Sequence, residues 1–205
     1  MHALVLDYGE VLVRAQRPEV VQQMAALARL REEDLRERYW RWRLDYDRAV
    51  LSDSTYWQRV VDGANIPAAE LDDVVAALVA ADYASWSDYR EELWEMAAQF
   101  RRGGGRTAIL SNGVPGVFAG VRKDRRLADY FDVVIVSCEV GCTKPDRRIY
   151  EVCLARLGSR AESTLFVDDR VENLEGAARL GIQTLHFAGD ESVDELRKLI
   201  GPVTR

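Results

Sequence analysis

The stretch HALVLDYGEVL, residues 2–12, begins as a short apolar run and changes character at Asp7. The run ALVL, residues 3–6, has the length and composition of a buried strand. An aspartate directly after such a strand either caps the following helix or belongs to a ligand site. The choice between these interpretations depends on which residues the other strands bring to the same edge of the sheet.

Four further apolar runs resemble ALVL: TAIL at 107–110, VVIVS at 133–137, TLFV at 164–167 and TLHF at 184–187. Helical patterns separate the later runs. Between 148 and 158, for example, Ile149, Cys153 and Leu157 recur at every fourth position before Gly158 ends the helix. Alternating strands and helices predict an α/β fold, a Rossmann-like parallel sheet flanked by helices on both faces.

About a hundred residues separate the first predicted strand from the second, far more than an ordinary crossover needs. Apolar positions recur at helical spacing in four segments of this interval: 18–30, 32–50, 54–62 and 67–82. We therefore predict a small helical subdomain inserted at residues 14–88. Residues 1–13 and 89–205 then form the sheet domain.

Composition narrows the range of partners. The chain has 205 residues and a net charge of -6, which argues against an obligate nucleic-acid partner because phosphate backbones are held by clustered Lys and Arg. No apolar stretch approaches the ~20 residues that span a bilayer. Three cysteines that cannot all pair, and no apolar signal segment, predict a cytoplasmic protein. We expect a monomer or a homodimer.

Reactive residues cluster after the predicted strands, where open parallel sheets bind their ligands. Lys144 precedes a helix that starts near a proline, and acids or small polar residues follow three of the strands. The residues concerned are Asp7, Ser111, Asn112, Lys144, Asp168 and Asp169. Three carboxylates at one sheet edge repel one another unless a cation offsets them, and a purely oxygen donor set suits Mg²⁺.

Each residue also has a simpler interpretation. Asp7 would cap a helix, Lys144 would lie at the surface, and Ser111 would be an ordinary turn hydroxyl beside Asn112-Gly113. Cys138 and Cys142 are poorly spaced for zinc. The joint pattern, and no single residue in it, favours a site that binds a metal and a phosphate.

Four segments carry a resemblance to a known family: LVLDYGEVL (4–12), ILSNG (109–113), TKPDRRIY (143–150) and FVDDRVENLEGAARLG (166–181). In order and spacing they resemble the four motifs of the haloacid dehalogenase (HAD) superfamily. The resemblance implies that the insertion is a helical cap over the site. It also implies an Mg²⁺-dependent phosphomonoester hydrolase acting on a small, sugar-phosphate-like metabolite.

The resemblance further implies a role for each residue. Asp7 would attack phosphorus and form an aspartyl-phosphate. Ser111 and the backbone N–H of Asn112 would bind phosphoryl oxygens, and Lys144 would orient Asp7 and neutralise developing charge. Asp7, Asp169 and the backbone carbonyl of Gly9 would hold the metal directly, and Asp168 would act through water or a neighbouring ligand.

Gly9 is where the chain departs from most phosphatases of the family, which carry an aspartate as acid–base group there. Glycine cannot transfer a proton, so Glu10 is the nearest substitute, or else a solvated turn acid. One alternative follows from Gly9: a binding or regulatory protein with impaired catalysis. The resemblance leaves a second alternative open, a metal-free haloacid dehalogenase, because both chemistries of the family begin with the same aspartate. A subgroup with Asp-x-Gly at this place, similar to sugar-phosphate phosphatases, keeps hydrolysis as the main prediction.

The inserted segment contains one dense aromatic and basic stretch, RERYWRWRLDYDRAV at 36–50. Helical spacing allows Trp40, Arg43 and Tyr46 to face an anionic substrate. The alternative is that the aromatic residues form the core of the cap while the arginines extend to water.

Overall fold

The computed structural model describes residues 2–201. The ends of the predicted sheet domain, residue 1 and residues 202–205, lie outside this range. None of the helices between residues 2 and 201 combines the length and the apolar composition that crossing a membrane requires.

Five parallel strands form one sheet in the order β3-β2-β1-β4-β5. Their bounds are β1 Ala3–Leu6, β2 Arg106–Ser111, β3 Val133–Val136, β4 Thr164–Asp168 and β5 Gln183–His186. Each begins and ends within one residue of the predicted run. The predicted α/β fold with a Rossmann-like parallel sheet is therefore confirmed, and β1, which carries Asp7 at its end, lies at the centre of the sheet.

Eleven helices in the described residues surround or extend from this sheet. Their bounds are α1 Pro18–Leu27, α2 Glu32–Arg41, α3 Arg43–Asp47, α4 Asp53–Val60, α5 Leu71–Ser85, α6 Glu91–Arg102, α7 Pro115–Asp124, α8 Ser137–Val140, α9 Arg147–Leu157, α10 Val171–Ala178 and α11 Ser192–Ile200. Short 3₁₀ turns at Ala68–Glu70, Leu127–Asp129 and Ala161–Ser163 complete the connections.

The alternation of side chains along β1 divides the hydrophobic core between the two faces of the sheet. Leu4 and Leu6 belong to a cluster that includes Trp94 of α6. Val5 belongs to a separate cluster with Ile149 and the other inward positions of α9. All four strand residues are buried, which is the expected state of a central strand covered by helices on both faces.

Helices α1 to α5 all come from the segment that we assigned to the inserted subdomain. The two connections to the sheet domain run side by side, since Val13 pairs with Tyr89 and the Arg90 N–H donates to the Leu12 carbonyl at 3.0 Å. The predicted helix at 32–50 is interrupted at Trp42, whose φ of −105° and ψ of 4° are not helical. The boundaries at 14 and 88 remain our prediction.

Helix α5 of the insertion packs closely against α7 of the sheet domain. A Cβ atom placed on Gly120 would lie 2.5 Å from the Tyr83 ring, and one on Gly116 would lie 2.9 Å from Val79 Cγ1. A second contact joins the same two parts, because the Ser137 hydroxyl donates to the Asp47 carbonyl at 2.6 Å. The helical segment is thus held over the carboxyl edge of the sheet.

Candidate active site

The parallel register brings the ends of three neighbouring strands to one place. Leu6 of β1 is paired with Ile109 of β2 and with Val167 of β4, so Asp7, Ser111 and Asp168 lie at the same edge. All three side chains are buried, with exposed fractions of 7%, 3% and 0% respectively. The predicted convergence of polar residues at strand ends is present in the structure.

A single wide turn follows Asp7 and spans Tyr8–Leu12, closed by the Val13 N–H donating to the Tyr8 carbonyl. Asp7 Oδ1 accepts a hydrogen bond of 2.6 Å from the Tyr8 N–H. Glu10 has a φ of 55°, in the left-handed region that residues other than glycine rarely adopt, while Gly9 has an ordinary φ of −64°. The turn therefore stores its strain at Glu10, and its backbone does not require glycine at position 9.

Lys144 is the central charge of the site. Its Nζ lies 2.8 Å from Asp7 Oδ1 and 2.6 Å from Asp168 Oδ2, and the side chain is buried. Burial lowers the pKa of Lys144, but the two carboxylates more than offset this, so the ammonium stays protonated. Asn112 fixes the lysine backbone, because its Nδ2 donates to the Lys144 carbonyl at 3.0 Å and its Oδ1 accepts from the Lys144 N–H at 2.7 Å.

Asp168 has both carboxylate oxygens committed to protein donors. Oδ2 accepts from Lys144, while Oδ1 accepts from the Arg170 N–H at 2.8 Å and from Asn173 Nδ2 at 2.9 Å. Tyr150 in turn donates to the Asn173 carbonyl at 2.7 Å. The sequence analysis assigned no role to Asn173, although it lies in the same motif as Asp168. Its position five residues after Asp168, in the first turn of α10, was the signal that could have identified it.

Carboxylate oxygens of Asp7, Asp168 and Asp169 all lie within 4.8 Å of one another. Burial, together with neighbouring acids, raises the pKa of Asp169 to about 6, and burial raises the pKa of Asp7 well above its usual range. A divalent cation would remove this penalty, and the all-oxygen donor set is the one Mg²⁺ prefers. The residues present therefore fit a magnesium ion.

A cavity of about 270 Å³ opens in front of these residues. The predicted site residues that line it are Asp7, Gly9, Glu10, Trp40, Arg43, Ser111, Asn112, Lys144 and Asp169. Asp168 lies behind Lys144 and does not line the cavity. The inserted helices and the strand ends thus enclose one common space.

Tyr46 does not line the cavity, and its prediction as a substrate contact is corrected here. Its side chain is buried, stacks on Tyr56 with ring centroids 4.1 Å apart, and donates to Asp53 Oδ1 at 2.5 Å. The interruption of the helix at Trp42 changes the direction of the residues that follow it. Tyr46 belongs to the aromatic core of the inserted helices, as the alternative interpretation held.

Arg43 is buried but reaches the cavity within a network of side chains. Its Nε donates to Asp47 Oδ1 at 2.8 Å, and its Nη1 bonds the Tyr39 hydroxyl. The same hydroxyl donates to Asp82 Oδ1 at 2.8 Å and accepts from Trp86 Nε1 at 3.2 Å. Arg43 is therefore held in place by acidic and phenolic partners on its own side of the cavity.

Several apolar residues of the cavity wall were not singled out in the sequence: Tyr8, Trp86, Val117 and Phe118. Trp86 follows the last residue of α5, and Phe118 lies on α7. They come together only through tertiary packing, and no local periodicity marks them. No sequence signal available in the single chain identifies this wall.

A family model described as haloacid dehalogenase-like hydrolase matches residues 1–181 of the chain. Acyl-CoA dehydrogenase family member 10 of Mus musculus is 39% identical over 107 residues, which cover 51% of this chain and 10% of that protein. Sesquiterpene phosphatase astK of Aspergillus oryzae is 32% identical over 102 residues, 49% of this chain and 52% of that protein. The chain thus matches about half, or less, of the length of these curated relatives.

Among solved structures, a HAD family enzyme from Bacteroides thetaiotaomicron in a magnesium complex superposes with a TM-score of 0.80. It is 20% identical, and the superposition covers 96% of this chain and 98% of that one. At this level of identity the likeness concerns the fold alone, and it extends over the inserted helices as well as the sheet.

Proposed function

The chain belongs to the haloacid dehalogenase-like hydrolases, and from this premise we propose that it is an Mg²⁺-dependent phosphomonoester hydrolase that forms an aspartyl-phosphate on Asp7. One observation carries the proposal. A buried lysine lies between two aspartates, beside a third aspartate, at the edge of a cavity of about 270 Å³. This arrangement suits a dianionic phosphoryl group together with a divalent cation.

In the first step, a carboxylate oxygen of Asp7 attacks phosphorus and the bond from phosphorus to the alcohol oxygen breaks. Oδ1 of Asp7 is engaged by Lys144 and by the Tyr8 N–H, which leaves Oδ2 as the attacking atom. Fixing one oxygen in this way orients the other, and orientation is a large part of catalysis in phosphoryl transfer.

Three groups would stabilise charge on the transferring phosphoryl group. Ser111 donates from its hydroxyl and Asn112 from its backbone N–H, and both residues line the cavity. Lys144 supplies a full positive charge from a buried position, where electrostatic interactions are stronger than in water. None of the three needs to move far, because the Asn112 side chain already fixes the backbone of Lys144.

Asp7, Asp169 and the Gly9 carbonyl are the residues that would hold Mg²⁺, with Asp168 acting through Lys144 and Asn173. When bound, the ion would offset the repulsion between the phosphate and the carboxylates and polarise the phosphoryl group. Asp168 suits the indirect role because its oxygens are already hydrogen-bonded. Asp169 suits the direct role because it lines the cavity.

The second step is attack of water on the aspartyl-phosphate, which releases inorganic phosphate and restores Asp7. We propose Glu10 as the group that gives a proton to the leaving alcohol and takes one from this water. Glu10 lines the cavity, and its strained backbone is typical of residues at functional sites. Trp40 and Arg43 stay proposed substrate contacts, since both reach the cavity.

The test is phosphate release from a panel of small phosphate esters, sugar phosphates included, with and without Mg²⁺. We expect Mg²⁺-dependent release by the wild type and release at the level of the blank by Asp7→Asn. Asp7→Asn keeps the size of the side chain and the hydrogen bond from Tyr8. A wild type that never exceeds this variant on any ester would refute the hydrolase proposal.

Gly9 favours a second candidate, a binding protein that keeps the site but turns over poorly. It lines the cavity beside Asp7 and brings no proton-transferring side chain. This candidate predicts that Mg²⁺ with inorganic phosphate raises the melting temperature of the wild type, although no ester is hydrolysed. Halide release from 2-chloropropionate without metal would instead support the dehalogenase alternative.

Small phosphorylated metabolites remain the proposed partners, and a cytoplasmic location with a monomeric or homodimeric state remains proposed with them. The acidic chain, with its net charge of -6, supports the exclusion of a nucleic-acid partner.

A further inference from the structure

The cavity has an apolar part in addition to its phosphate-binding edge. The side chains of this part are contributed by the turn after β1, by α2, by the residue that follows α5 and by α7. We call these residues the aromatic wall: Tyr8, Trp40, Trp86, Val117 and Phe118. A substrate whose phosphoryl group lies against Asp7 has this wall available for its alcohol part.

Trp86 of the aromatic wall packs against the turn that follows the nucleophile. A Cβ atom on Gly9 would lie 3.6 Å from Trp86 Cζ3, an ordinary van der Waals contact. Because the Gly9 backbone angles suit any residue, the missing side chain leaves the Trp86 ring uncovered beside Asp7. The cavity next to the reacting phosphorus is therefore bounded by an indole ring.

Three rings of the aromatic wall, those of Tyr8, Trp86 and Phe118, are fixed before any ligand binds. Trp86 is 9% exposed, its Nε1 donates to the Tyr39 hydroxyl at 3.2 Å, and its carbonyl accepts from the Tyr8 hydroxyl at 2.6 Å. The Tyr8 and Phe118 rings lie 5.1 Å apart. A ligand that packs on this wall would lose little free energy to ordering side chains.

Arg43 and Asp47, the charged residues of the inserted helices that line the cavity, form an ion pair with each other. Arg43 bonds Asp47 and the Tyr39 hydroxyl, and that hydroxyl also bonds Asp82. The two carboxylates outnumber the guanidinium, so this cluster offers little attraction to a second anion. A doubly phosphorylated substrate would find no uncompensated positive charge in this cluster.

We propose that the substrate is a monophosphate ester of a compact apolar alcohol, aromatic or unsaturated, whose alcohol part packs on Trp86 and Phe118. This inference rests on the proposed hydrolase function and narrows its substrate class away from sugar phosphates. Trp40, which is 54% exposed, places a further ring at the mouth of the cavity.

The test compares kcat/KM for benzyl phosphate and glycerol 3-phosphate in the presence of Mg²⁺. Both are esters of primary alcohols with leaving groups of similar reactivity. The ratio of the two kcat/KM values therefore reports how the alcohol part packs on the aromatic wall. We expect the wild type to prefer benzyl phosphate by about tenfold or more, the discrimination that an apolar pocket supplies. Equal values, or a preference for glycerol 3-phosphate, would overturn the proposal.

Trp86→Leu should reduce kcat/KM for benzyl phosphate about tenfold more than kcat/KM for glycerol 3-phosphate. Trp42→Leu is the matched control, because Trp42 lies in the same inserted segment and does not line the cavity. If folded Trp86→Leu keeps the wild-type ratio of kcat/KM for benzyl phosphate to kcat/KM for glycerol 3-phosphate, the alcohol part does not pack on the aromatic wall. If that variant does not fold, the wild-type comparison and Phe118→Leu decide in its place.

A binding measurement separates this inference from the hydrolase proposal. Benzylphosphonate and 2,3-dihydroxypropylphosphonate cannot be hydrolysed, and calorimetry gives their dissociation constants for the wild type with Mg²⁺. Binding of benzylphosphonate about tenfold tighter supports the wall even if no ester is turned over. Equal dissociation constants, or no binding of either compound, would refute the proposal that the aromatic wall binds the alcohol part, even if the protein is an active hydrolase.

Discussion

Lys144 Nζ lies 2.8 Å from Asp7 Oδ1, and the same ammonium lies 2.6 Å from Asp168 Oδ2. Removing the cation leaves two buried carboxylates without their counter-charge, which typically costs about 3–5 kcal/mol of stability. We expect Lys144→Met to lower phosphate release at least about a hundredfold and to lower the free energy of unfolding at pH 7. Kinetic assays and urea denaturation measure the two effects.

The loss of stability in Lys144→Met should depend on pH. Without the lysine, the pKa of Asp7 rises further above its usual range, so the folded state binds a proton more tightly than the unfolded state. The loss should therefore shrink as the pH falls from 7 to 5. Lys123→Met, at an exposed position of α7, is the control; an equal loss in both variants would contradict the buried ion pair.

Asp169 and Asp168 should respond differently to Mg²⁺. A ligand that binds only the folded state adds about 2.7 kcal/mol at a hundred times its dissociation constant, so Mg²⁺ should raise the melting temperature of the wild type. Asp169→Asn should abolish most of this increase. Because it removes a carboxylate whose pKa is raised to about 6, it should itself raise the metal-free melting temperature at pH 7. Asp168→Asn should lower the metal-free melting temperature, because it removes a partner of Lys144 and Asn173.

Differential scanning calorimetry with and without Mg²⁺ measures both variants, and Asp62→Asn at an exposed position is the control. The assignment of Asp169 as the direct ligand would be wrong if its variant kept the full increase in melting temperature.

The sheet and the charged edge were predictable because both depend on local pattern and one topological rule. Short apolar runs identify parallel strands, and the carboxyl ends of adjacent parallel strands meet at one edge. Asp7, Ser111 and Asp168 follow directly, since each ends a strand within one residue of its predicted position. Lys144 follows less directly, because a loop and its contacts with Asn112 place it.

The aromatic wall and the position of Tyr46 were not predictable from the same patterns. Trp86 is hydrogen-bonded to Tyr8, 78 residues away in the sequence, and to Tyr39, 47 residues away. Only tertiary packing brings these residues together. Tyr46 was assigned to the cavity on the assumption of a continuous helix. The interruption at Trp42 removes that assumption, and the spacing of side chains no longer gives their direction.

Gly9→Asp tests whether the missing acid at position 9 limits the rate of hydrolysis. The backbone at position 9 accepts any residue, and the added Cβ makes an ordinary contact with Trp86, so the variant should fold. A carboxyl group beside the leaving alcohol should raise kcat for alkyl phosphates, by up to about a hundredfold if proton transfer limits the rate. Rapid-quench and steady-state assays with glycerol 3-phosphate measure this.

Gly9→Asn has the same size and no acid, so it should show no such increase. Glu10→Gln in the wild-type background should lower turnover, and in Gly9→Asp it should matter less. Equal rates for Glu10→Gln and the wild type would show that Glu10 is not the general acid and base.

Gly120 should be needed for the close contact between α5 and α7. In an exposed helix alanine is the more stable residue by about 1 kcal/mol, but here its Cβ would lie 2.5 Å from the Tyr83 ring. Displacing a packed ring typically costs about 1–3 kcal/mol. We expect Gly120→Ala to lower the free energy of unfolding in urea, whereas Lys123→Ala on the exposed side of α7 should leave it nearly unchanged. A more stable Gly120→Ala would show that the two helices separate readily.

Asp82 should make the inserted helices less stable as the pH rises. Burial raises its pKa from the ordinary 3.8 to about 6, and Oδ2 has no hydrogen-bond donor among the described residues. Between these two values the folded state binds the proton that the unfolded state has released, so stability falls as the pH increases from about 4 to 6 and is not regained above it. From the difference in pKa, the effect is up to about 3 kcal/mol.

Asp82→Asn removes this titration while its Oδ1 still accepts the hydrogen bond from Tyr39. Its free energy of unfolding, measured by urea denaturation from pH 4 to 7, should therefore decline less steeply than that of the wild type. The other buried carboxylates of the site titrate in both proteins and cancel in the comparison. Asp73→Asn, at an exposed position of the same helix, should reproduce the wild-type slope. If Asp82→Asn also follows the wild-type slope, Asp82 is ionised at little cost and Arg43 compensates its charge fully.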